Sequence, residues 1–270
     1  MFDILSYSFF QNALIGSLLA SIVCGMVGTY IVTRRLVFIS GGITHASFGG
    51  VGLGVFLGIN PIVSAMTFAV ASAWGVQWMA GDNKVREDSA IALFWTLGMS
   101  VGIICCFLTP GFMPDLPSFL FGNILTIDTA DLTLLAVLSA LVAAIFIFFS
   151  DTIKSVAFDP VFAHTQNIPV RFVEYVMMTL IALTIVATLR LVGIVLAISL
   201  LTIPQMTANL FVNRFNSMAW LSIAFGAIYC IAGLAVSYML NVPSGASIIF
   251  ISILVYALMR AMKATSNKNA

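Results

Sequence analysis

The sequence predicts an all-α polytopic membrane protein, and three observations carry that reading. Of its 270 residues, 61% are hydrophobic and only 8% charged, against roughly 25% charged in a soluble domain. The mean hydropathy is +1.12. The apolar residues form long blocks rather than the alternating pattern of a membrane barrel, and segments of about 20 residues with short connections use up the chain. A water-soluble globule is excluded, and residues 1–270 read as one transmembrane domain. A net charge of +1 gives no reason to expect a nucleic-acid partner.

Blocks bounded by charge, Pro or Asn fall at 9–33, 37–58, 61–80, 90–109, 131–150, 172–189, 191–212, 217–240 and 246–262, which makes about nine spans. The first follows a stretch with Asp3 and no Lys or Arg. It lacks the positive region of a cleaved signal and reads as a permanent helix. The second is rich in glycine, and Gly50, Gly54 and Gly58 recur every four residues, the spacing that lets helix backbones approach closely. Lys and Arg collect on the cytoplasmic side of membrane proteins. With the N-terminus outside, Arg34, Arg35, Lys84, Arg86, Lys154, Arg171, Arg214, Arg260, Lys263 and Lys268 fall inside and only Arg190 falls outside. The C-terminus is then cytoplasmic.

Two connections differ from the rest. The outer one, 109–131, holds three prolines and an apolar stretch too short to span, which predicts a re-entrant or interfacial helix, with 118–127 narrowing an outer mouth. The inner one, 150–174, is the longest cytoplasmic loop and mixes apolar with polar residues. It predicts a short helix that docks on a soluble partner. Cys24, Cys105, Cys106 and Cys230 lie inside apolar blocks without metal-ligand spacing, as buried small hydrophobes do.

All ten acidic residues sit at span ends or in loops, so no carboxylate reaches bilayer depth. That weighs against a proton- or sodium-coupled carrier. His45 is the one ionisable side chain left within a span, sharing a helical face with Gly41. It reads either as a metal or substrate contact on a pathway or as a histidine that packs helices. Thr202, Gln205 and Asn209 fall within roughly 60° on a helical wheel, beside Pro204, which interrupts the hydrogen-bond ladder. They read as a pore-lining stripe or as interhelical hydrogen bonding. The chain has no GxxxxGKS or GxxxxGKT phosphate loop, so transport energy comes from a gradient or from another subunit. An intramembrane enzyme would need a cluster such as HExxH, and none is present.

Several segments together resemble one family. RRLVFISGGITHASFGGVGLG is similar to the motif of the ABC importer permeases for zinc, manganese and iron, whose usual form is close to RRxxLxGDAISHxxLPGxxL. VREDSAIALFWTLGMSVGI, FLFGNILTIDTADL, AFDPVFAHTQNIPV, LVGIVLAISLLTIPQMTANL and NVPSGASIIFISIL follow in the family's order. The resemblance implies a type II importer fold in the bacterial cytoplasmic membrane. It also implies a homodimer around a central pathway, a cytoplasmic ATPase dimer that binds the ATP, and an extracytoplasmic metal-binding protein that delivers a divalent metal. No intrinsic cofactor and no covalent chemistry are expected of this chain. Within 151–171, Asp159, Pro160, Val161, Phe162, Ala163 and Gln166 would form the helix that couples to the ATPase. His45 matches the family motif, but Gly41 stands where the family has an Asp. A lone imidazole is a poor divalent-metal site, so a metal chelate or other small solute is the alternative cargo, and a gradient-driven transporter the alternative class.

Overall fold

The computed structural model describes residues 8–81, 85–110 and 127–266. Among these residues the regular structure is entirely helical. Its elements are α1 Ser8–Thr33, α2 Val37–Leu57, α3 Pro61–Gly81, α4 Glu87–Leu108, α5 Thr129–Phe148, α6 Ser150–Phe158, α7 Pro160–Thr165, α8 Val170–Leu200, α9 Ile203–Ala208, α10 Phe215–Leu240 and α11 Ser244–Ser266. Lys84, Lys268 and most of the expected outer gate at 118–127 lie outside the described residues.

Seven segments are long and apolar enough to cross a bilayer: α1, α3, α4, α5, Val170–Leu189 of α8, α10 and most of α11. Helix α2 has 21 residues, about 31 Å at 1.5 Å per residue and so enough for a bilayer core. Its glycines, serines and His45 lower its hydropathy enough to keep it out of the seven. The expected spans 172–189 and 191–212 correspond to the helical segments Val170–Leu189 and Val192–Ala208, with the backbone break three residues past Arg190. The chain stays helical from Val170 to Leu200 except at Gly193, with φ 74° and ψ 173°, a conformation that glycine alone adopts readily. A charge in an apolar block looks like a helix end, whereas the backbone breaks where a missing Cβ permits it. The second half then stops at Leu201, and α9 restarts with Pro204 in its first turn, where a missing N–H leaves nothing unpaired.

Local chemistry sets the other ends. Gly58 closes α2 in the left-handed region at φ 68°, and the amide of Ile59 reaches back to Gly54 O at 3.0 Å, as in a glycine C-cap. Asn60 Oδ1 accepts from the amide of Ile62 at 2.9 Å, with Pro61 opening α3. Glu87 and Asp88 occupy the first turn of α4, favourably placed against its dipole. Asp128 caps α5 by accepting from the amide of Asp131 at 2.8 Å.

Helices α2, α3 and α4 pack as one group, α1, α5 and α10 as another, and α8 touches both. The α2–α4 contact is backbone against backbone. A methyl added at Gly52 would lie 2.5 Å from Gly102 O, and one at Gly98 would lie 2.5 Å from Ala46 Cα. Gly50 and Gly54 make the equivalent close approach to Ser64, Ala65 and Pro61 of α3. Gly58 differs from its two partners in the spacing pattern. Nothing lies within 4 Å of a Cβ built there, so this glycine ends the helix and packs against nothing. Buried hydroxyls mostly bond back to their own helix, as Ser17 does to Ala13 O and Thr29 to Gly25 O, so few are left unpaired in the apolar interior.

Candidate functional site

His45 projects from the half-buried side of α2. Its imidazole stacks on the indole of Trp95 from α4, with centroids 4.4 Å apart and an interplanar angle of 3°. The glycine contacts described above bring α2 and α4 close enough for two side chains to lie flat on each other. Trp95 remains 37% exposed, so the stack forms part of an open surface of the chain. On the same side of α2, a Cβ built at Gly41 would find only Ile198 Cδ1 at 3.8 Å. That is ordinary contact, so position 41 has room for a larger side chain. Beyond the break at Gly193, Val195, Ile198 and Met206 leave apolar surface on α8 and α9. Among the described residues, no group of three or more His, Cys, Asp or Glu side chains could hold a metal together.

Thr202, Gln205 and Asn209 do not form one exposed stripe. Gln205 is fully buried and donates from Nε2 to Cys24 O at 2.7 Å and to Leu200 O at 3.1 Å. It ties α9 to α1 and accepts no hydrogen bond at Oε1. Thr202 turns its hydroxyl to Ile198 O at 2.8 Å, and only Asn209 is exposed. The wheel assumed one continuous helix, whereas Thr202 stands before α9 in a non-helical conformation, φ −130° and ψ −52°.

At the expected cytoplasmic end, α6 and α7 form a short arm. Asp159 Oδ1 accepts from the amide of Phe162 at 2.9 Å and Pro160 occupies the first turn of α7, a strong start for a six-residue helix. On this helix Ala163 is fully buried, while Val161 is 74% and Phe162 56% exposed. Gln166 is exposed at the C-cap. Two exposed apolar side chains thus stand on a short helix whose opposite side is buried. On α6, Lys154 Nζ donates to Asp151 at 2.8 Å and holds that carboxyl below its ordinary range.

The arm leads directly into α8, whose first turns hold Glu174. Its Oε1 accepts from Arg34 at 2.7 Å and its Oε2 accepts from Gln77 Nε2 at 2.9 Å. One carboxylate thus joins the ends of α1, α3 and α8. Sequence reasoning missed this junction and the Trp95 stack, because partners 140 residues apart, or on two different helices, leave no local pattern.

A multi-span helical permease, without a nucleotide loop of its own and with a short helical arm at one end, is the class these features define. The chain belongs to the ABC 3 transport family, whose model matches residues 6–263. It is 35% identical over 256 residues to the manganese transport system membrane protein MntC of Halalkalibacterium halodurans, covering 95% of this chain and 88% of that one. It is 32% identical to the manganese import system permease protein ScaB of Streptococcus gordonii, covering 93% and 90%. The solved structure of PsaBC from Streptococcus pneumoniae in complex with Fab superposes with a TM-score of 0.84 at 30% identity, over 96% of this chain and 93% of that one. An inward-facing metal-chelate type ABC transporter shares the fold, with a TM-score of 0.72 at 15% identity over 93% and 85%.

Proposed function

We propose that this chain is the membrane-spanning subunit of an ABC importer that carries a divalent metal ion, manganese first among the candidates, across the bacterial cytoplasmic membrane. It works as a homodimer with a cytoplasmic ATPase dimer and receives metal from an extracytoplasmic binding protein. The N-terminus lies outside, the C-terminus inside, and the chain crosses nine times, counting α2 and the broken segment after Gly193. The observation that carries this reading is the capped arm of α6 and α7. Its exposed Val161 and Phe162 offer an ATPase an apolar knob, and relatives of nearly the same length are named as manganese transport permeases.

In this mechanism the ATPase moves α7. Ala163, on the buried side of α7, passes the push to the body of the protein, and α8 follows because it begins five residues after α7 ends. Glu174 carries the displacement to α1 through Arg34 and to α3 through Gln77. The metal passes His45, whose single imidazole binds loosely enough for release. Thr202 and Asn209 lie further along the route, and Gln205 holds the break in shape from behind. The space beside Gly41 favours one second reading, in which the metal arrives with ligands of its own as a chelate.

The test is purification of the chain with its ATPase and binding protein. Metal-loaded binding protein stimulates ATP hydrolysis by the complex, and Phe162→Asp separates the ATPase from the permease. An ATPase that stays bound to the Phe162→Asp variant would remove α7 from its assigned role.

A further inference from the structure

A cavity of about 360 Å³ opens between α1, α5 and α10, lined by Met26, Phe146, Ile147, Ala219 and Trp220 on its apolar side. A second, of about 640 Å³, lies between the α6–α7 arm and the start of α10, where Lys154, Asp159, Asn213 and Arg214 line it together with Phe158 and Phe162 of the arm. Both include Phe215 and Asn216, so the two adjoin along the first turns of α10 and count together as one groove. At the seam Ser150 Oγ donates to Asn216 Oδ1 at 3.1 Å. The recess therefore runs from an apolar end, past a hydroxyl and an amide, to an end where Lys154 and Arg214 stand with Asp159 and the rings of Phe158 and Phe162.

The charges in the polar half are not equivalent. Lys154 is held by Asp151, and Asp159 is engaged by the amide of Phe162. Arg214 is exposed and, among the described residues, its side chain makes no hydrogen bond or ion pair. The order of the groove matches one molecule: an apolar tail, an ester region that accepts hydrogen bonds, and a phosphate. Trp220, 61% exposed beside the apolar half, is the residue type that sits at the membrane interface. A basic recess at the cytoplasmic ends of membrane helices is where anionic headgroups bind.

We propose that this groove holds one anionic glycerophospholipid of the inner leaflet, with its phosphate on Arg214 and an acyl chain against Ile147 and Trp220. The site shares no helix with the His45–Trp95 face, and it rests on the proposed function only for which end of the chain faces the cytoplasm. A bound lipid would brace α6 against α10 and so make coupling sensitive to the leaflet's composition.

The test places the complete complex, with its ATPase, in nanodiscs of phosphatidylcholine containing a small fraction of lipid with brominated acyl chains. Quenching of Trp220 is read as the difference between the native chain and Trp220→Phe. Brominated phosphatidylglycerol should quench saturably and at lower mole fraction than brominated phosphatidylcholine. Arg214→Gln should reduce that preference about fivefold, the weight of one cation at a membrane surface. Equal quenching by the two lipids, or an unchanged preference in Arg214→Gln, would overturn the proposal. So would a preference seen only when the ATPase is absent, because the groove would then belong to the protein partner. None of these readouts involves metal, so the lipid site and the transport reading fail separately.

Discussion

His45 presents one imidazole, held flat by Trp95 with both ring nitrogens at the edge of the stack. Beside it, position 41 has space and no ligand. His45→Ala should bring metal uptake to background while barely changing the unfolding temperature in detergent, since the side chain is only half-buried. Gly41→Asp adds a carboxylate where only Ile198 is near, and should tighten manganese binding in an equilibrium dialysis measurement. Gln205 has the opposite character, because it supports structure and touches no open surface. Gln205→Leu removes two hydrogen bonds inside the membrane and should destabilise the protein by about 1–2 kcal/mol, read as a lowered melting temperature. The glycines of α2 separate in the same way. Gly52→Val drives a side chain into the Gly102 carbonyl and should prevent folded protein from accumulating. Gly58→Asn should be nearly silent, because Asn tolerates the left-handed conformation found there.

Among the elements, a short helix in the 150–174 connection was legible from its mix of apolar and polar residues, and the structure has two there, α6 and α7, the second opened by Asp159 and Pro160. Asp159→Ala should loosen α7 by about 1 kcal/mol and weaken ATPase binding in a pull-down without unfolding the membrane body. Helices α2 and α3 were legible to within a residue or so, because Gly58, Asn60 and Pro61 mark the turn between them. The two halves of α8 were legible as well, since Arg190 lies three residues from the break, but the breaking residue was not, because Gly193 is indistinguishable in sequence from the many packing glycines. The Thr202–Gln205–Asn209 stripe failed because a helical wheel has no meaning across the second change of helix, at Thr202. The Arg34–Glu174–Gln77 junction was invisible because it forms only when three distant helix ends meet.

For the whole molecule, composition alone marked a helical membrane protein, and charge placement led to an orientation that labelling can test. The four cysteines are buried, so a single exposed cysteine reports its side of the membrane. Asn167→Cys, beside α7, should react with a membrane-impermeant maleimide only in inverted vesicles, and Asn60→Cys only in right-side-out cells. The central claim is that ATP hydrolysis in a partner drives metal through this chain. It is tested most directly by loading proteoliposomes containing the permease and its ATPase with ATP on the ATPase side, then adding the binding protein with radioactive manganese. The account predicts manganese accumulation that requires ATP and disappears in His45→Ala. Accumulation driven by a proton or sodium gradient without the ATPase would contradict it.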